Sequence, residues 1–131
     1  AAQDMETSLE LEPNNPVVLN YLGYMWLDQG RNLDDAYGYI RQAAHLRPHD
    51  AAIVDSLGWV YYKKGKYDTA IRHLEKAVSL LPNDPVINMH LGDAYHKMGR
   101  EEEAKTKWQR ALNLNPESSN HVERLRELLG E

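Results

Sequence analysis

The sequence predicts an all-α solenoid built from repeated pairs of helices, and three observations carry that reading. Four prolines close similar phrases, Leu11-Glu12-Pro13, Leu46-Arg47-Pro48, Leu80-Leu81-Pro82 and Leu114-Asn115-Pro116, at spacings of 35, 34 and 34 residues. A Leu-Gly pair returns in the same register, at Leu22-Gly23, Leu57-Gly58 and Leu91-Gly92. Ala36, Ala70 and Ala104 are each followed by a large residue (Ile40, Leu74, Trp108) and then by Ala43, Ala77 and Ala111. No stretch alternates with a period of two, so no strand is expected.

Taken in order, residues 1–13 match the second helix of a unit through Ala1, Met5, Ser8 and Pro13. The chain is therefore expected to enter the array inside a repeat, as a fragment of a longer array would. Residues 16–50 form the first full unit. Asn15-Pro16 reads as an N-cap followed by proline at the first helical position. Its first helix runs to Gly30, where glycine can take the left-handed conformation that closes a helix. The turn Gly30-Arg31-Asn32-Leu33-Asp34-Asp35 holds one extra residue and predicts a local bulge.

Residues 51–84 form the second unit, with a first helix closing at Gly65. Its second helix carries Ala70, Ile71, Leu74, Ala77 and Val78 at helical spacing and stops before Pro82. Residues 85–118 form the third, opened by Asp84-Pro85 and turned at Gly99. Gly58 with Ala70, and Gly92 with Ala104, predict close approach of paired helices. Residues 119–131 read as a capping helix, with Asn120 and Glu123 as a capping-box-like start. Its apolar face is Val122, Leu125, Leu128 and Leu129. The rival reading of this segment is a partner-binding amphipathic helix.

Composition narrows the function classes. The chain has 131 residues, 42% hydrophobic and 27% charged, enough for one ordinary domain with a core. The net charge is −5, and the absence of a basic tract argues against nucleic acid as partner. No apolar run reaches the length of a membrane span, and no secretory signal pattern is visible. There are no cysteines, which excludes disulfides and thiol catalysis within this sequence.

The pattern Leu-Gly, Tyr, Ala, large residue, Pro within 34 residues resembles the tetratricopeptide repeat over essentially the whole chain. The departures are Leu19, Val54 and Asn88 in the place of the first aromatic. The resemblance implies a right-handed solenoid whose concave surface, lined by the first helices, holds a peptide or partner helix. The inward positions it implies are Asn20, Tyr21, Tyr24 and Leu27 in the first unit, and Asp55, Ser56, Trp59 and Tyr62 in the second. In the third they are Met89, His90, Asp93 and His96. Trp59 is expected to be an exposed anchor on this face, with basic ligand groups turned toward Asp55 and Asp93. Some members of the family clamp chaperone C-terminal carboxylates with Lys, Asn and Arg. The corresponding places here hold Asn20, Tyr24, Ser56, Val86 and His90, so that ligand is not expected.

His90, Asp93 and His96 are ligand types for a transition metal. His90 and His96 lie about 120° apart on a helical wheel, so a polar groove wall is expected instead, with no metal and no cofactor. No nucleophile–base pair and no phosphate loop can be read, and Lys63, Lys64 and Lys66 complement a helix C-terminus. The function expected is a protein-interaction scaffold or adaptor that is not an enzyme. Alternatives are end-to-end self-assembly, through apolar surface near Met5 and Leu9, or a regulatory segment of a larger enzyme. Asp55-Ser56-Leu57-Gly58-Trp59 and His90-Leu91-Gly92-Asp93-Ala94-Tyr95 also resemble repeat segments of bacterial envelope lipoproteins. That implies substrate presentation to a protease or assembly of envelope machinery.

Overall fold

Two kinds of helix start alternate along the chain, and they set the architecture. The computed structural model describes residues 14–131. The expected helix over residues 1–13, with Met5 and Leu9, lies outside the described residues. Helices α1 (Pro16–Asp28), α3 (Ala51–Lys63), α5 (Pro85–Lys97) and α7 (Ser119–Leu128) each begin behind a side-chain cap. Asn15, Asp50, Asp84 and Ser118 accept hydrogen bonds from the first free backbone N–H groups. Helices α2 (Leu33–Leu46), α4 (Tyr67–Leu80) and α6 (Glu101–Asn113) have no such cap. They carry acids in the first turn instead, Asp34 and Asp35, Asp68, and Glu101 to Glu103, which complement the positive end of the helix dipole.

A tight turn joins the helices of each pair. Gly65 has φ +79°, and the Lys66 N–H donates to the Tyr61 carbonyl at 2.9 Å, closing α3 in the Schellman manner. In the first pair the extra residue is absorbed by Asn32, which takes the left-handed conformation at φ 54°. Helix α2 thus starts three residues after Gly30, whereas α4 starts two after Gly65. The expected bulge is present. Asn120 does not cap α7; Ser118 does, two residues earlier, because its hydroxyl reaches the His121 N–H at 3.3 Å.

Packing follows the small residues. A Cβ on Gly58 would lie 2.8 Å from Leu74 Cγ and 3.3 Å from the Ala70 carbonyl oxygen. On Gly92 it would lie 2.5 Å from Trp108 Cδ1. Only glycine admits those crossings. Each second helix packs on its own first helix and on the next one along, and α1 touches α3 as α3 touches α5. The first helices therefore form one layer, with the second helices behind them, and among the described residues there is no strand. The polar Asn88, in the place of an aromatic, is fully buried. Its amide donates to the Pro82 and Asp84 carbonyls and ties α5 to the preceding turn.

Candidate concave binding cleft

The layer of first helices carries a cleft of about 260 Å³, lined by Tyr24, Asp28, Trp59, Tyr62, Lys63, Met89, His90, Asp93, His121 and Arg124. Helix α1 supplies Tyr24 and Asp28, α3 supplies Trp59, Tyr62 and Lys63, and α5 supplies Met89, His90 and Asp93. Helix α7 closes the cleft with His121 and Arg124.

Its floor is an aromatic stack. The Trp59 ring lies between Tyr62, centroids 4.3 Å apart at 6°, and His90, 3.9 Å at 15°. The Lys63 ammonium sits 5.4 Å from the Trp59 centroid, within cation–π range. Trp59 is only 8% exposed, so the expectation of an exposed anchor is corrected. Neighbouring rings cover both of its faces, which a reading of α3 alone could not show.

The buried carboxylates are already engaged. Asp55 accepts from His90 Nδ1 at 2.9 Å between α3 and α5. Asp93 accepts from Trp108 Nε1 at 3.0 Å and from Arg124 at 2.9 Å. Neither is open to a ligand cation, contrary to the sequence expectation; both carboxylates hold helices together. Burial first, then Asp55 and Asp28, pushes the Tyr24 hydroxyl up to about 12. Burial first, then Asp93, also raises Tyr62. The acid that remains exposed on the wall of the cleft is Asp28.

The remaining positions separate. Leu27 is fully buried in the core beside Ile40 and Val60 and faces no groove. Ser56 is buried and donates to the Ala52 carbonyl at 3.0 Å. His96 lies outside the cleft, paired with Glu101 at 2.8 Å, because the extra turn of helix carries it to the α5–α6 corner. Asn20 and Tyr21 line a second hollow on α1 with Val17, Tyr24, Met25 and Asp28. Among the described residues, no group of three or more His, Asp or Glu is placed to hold a metal ion. None of the described helices is long and apolar enough to cross a membrane.

Sequence reasoning missed Asp28, Lys63, His121 and Arg124. A signal existed for two of them. Lys63 is the repeat counterpart of Asp28, and Arg124 lies 34 residues beyond His90. Extending the register into α7 places Arg124 on the inward face.

Comparison with known proteins agrees with this architecture. A TPR repeat family model matches residues 58–99, and a tetratricopeptide repeat model matches residues 85–118. A TPR repeat-containing protein of Pseudomonas aeruginosa is 39% identical over 70 residues. That match covers 53% of this chain and only 12% of the length of the relative. Among solved structures, MamA from AMB-1 superimposes with a TM-score of 0.69 at 27% identity, covering 87% of this chain and 67% of that one. The first TPR of Spaghetti, bound to an HSP90 peptide, gives 0.73 at 23% identity, covering 86% and 89%. With the 34-residue register and the glycine crossings between paired helices, these matches show that the chain belongs to the tetratricopeptide-repeat family.

Proposed function

We propose that this chain is an interaction scaffold that holds one segment of a protein partner in the cleft between α1, α3, α5 and α7. The observation that supports this most is the composition of the cleft. Ring and thioether surfaces of Tyr24, Trp59, Tyr62 and Met89 lie between an acid, Asp28, and the cations Lys63 and Arg124. An extended segment or a short amphipathic helix suits such a surface. Its apolar anchor would meet Tyr24 and Tyr62, its basic group Asp28, and its acidic group Lys63 or Arg124. The Spaghetti domain, similar in fold, has an HSP90 peptide bound. The present cleft offers the same class of role to a ligand of mixed charge, through binding alone and with no chemistry of its own.

Selection of a displayed random-peptide library against the folded chain tests this. Peptides selected on the native surface should lose about tenfold or more in affinity toward Tyr24→Ala, since a central aromatic contributes on the order of 2 kcal/mol. They should weaken less toward Lys63→Ala, an edge charge. Peptides that bind both folded variants as tightly as the parent chain would place recognition on another surface.

A further inference from the structure

The open face of α1 is built like an internal junction whose covering helix is missing. The repeat register aligns Tyr21 with Ser56 and His90, and Asn20 with Asp55 and Met89. In α3 and α5 these positions are covered, with Ser56 and His90 each 3% exposed, because α1 lies on α3 and α3 on α5. In α1 the same stripe is bare. Tyr21 is 51% and Val17 58% exposed, and they border a hollow of about 370 Å³. Asn20 Oδ1 is buried there without a hydrogen-bond partner.

The other end of the layer offers the complement. Helix α7 continues the register of the first helices, with Leu125 in the place of Leu91 and Arg124 in the place of His90. Glu123 stands in the place of Met89 and Asp55, and Glu127 in the place of Asp93. Two existing junctions use one chemistry: a donor at the His90 position meets a carboxylate on the preceding first helix. These are His90 on Asp55 at 2.9 Å and Arg124 on Asp93 at 2.9 Å. The two acceptor positions are those that Glu123 and Glu127 occupy on α7, and both are exposed. At the donor position α1 carries Tyr21, with a hydroxyl.

We propose that α7 of one copy docks on α1 of a second copy, head to tail, so that the layer of first helices continues from molecule to molecule. The Tyr21 hydroxyl donates to Glu123 or Glu127 of the second copy, as His90 and Arg124 donate within the chain. Arg126 stands where Gly23, Gly58 and Gly92 admit a second helix. The junction therefore joins first helices only, and its small area makes the association weak. A heterologous contact of this kind does not close on itself, so it yields chains rather than a dimer.

Sedimentation of the 131-residue chain over micromolar to millimolar concentration tests the proposal. The average mass should rise past that of a dimer without a plateau. Joint Glu123→Arg and Glu127→Arg substitution should weaken association by about fivefold or more, the size of an exposed charge pair. Tyr21→Arg should strengthen it by a similar factor, as Arg124 serves Asp93. All three positions are exposed, and circular dichroism checks that each variant is folded. A strict monomer throughout, a closed dimer, or association indifferent to both ends would overturn the proposal.

Discussion

A missing methyl group sets the distance between α3 and α4. Gly58→Ala places a Cβ 2.8 Å from Leu74 Cγ and 3.3 Å from a backbone oxygen, and the oxygen cannot swing away as a side chain can. We expect a loss of about 1–3 kcal/mol, read as a lowered thermal midpoint. An unchanged midpoint would mean that the crossing is looser than it is drawn here. Asp55 acts at the same scale through charge. Asp55→Ala leaves the His90 ring buried without its acceptor, at a cost of about 1–3 kcal/mol, measured by denaturant unfolding. The glycine crossing was legible in the sequence because the Gly–Ala pairing recurs with the repeat. The Asp55–His90 bond was not. It joins two repeats, and a helical wheel shows which way a side chain points without showing what lies opposite.

Among the elements, α7 has the fewest anchors. It is held by the buried Leu125, by the Arg124–Asp93 bridge and by the Ser118 cap. Ser118→Ala should cost about 1 kcal/mol. Amide exchange in α7 should rise while that in α3 stays at its parent rate. Equal acceleration along the whole chain would show instead that α7 unfolds only with the rest. The amphipathic face of this helix and its role as a cap were readable from Val122, Leu125 and Leu128. Its start was misplaced, because two serines and an asparagine in succession all favour caps, and only the backbone path chooses Ser118.

For the whole molecule, stability should be close to a sum over neighbours, since each helix touches only the elements next to it in the layers. Gly92→Ala, which forces the Trp108 ring aside, should therefore raise exchange in α5 to α7 and leave α1 and α2 nearly as they were. Exchange raised equally in α1 would indicate a single cooperative unit. The sequence by itself determined the helix pairs, their turns, their crossings and the family. These rest on contacts within a repeat, and repetition prints such contacts four times over at nearly constant spacing. Only the tertiary structure decided which inward residues remain open. It closed Trp59 between two rings, spent Asp55 and Asp93 on neighbouring helices, and sent Leu27 to the core and His96 to a corner. It also brought Lys63, Asp28 and Arg124 together across three helices. Exposure is a property of what packs opposite a residue, and that partner comes from another repeat, whose identity at each position varies while the fold does not.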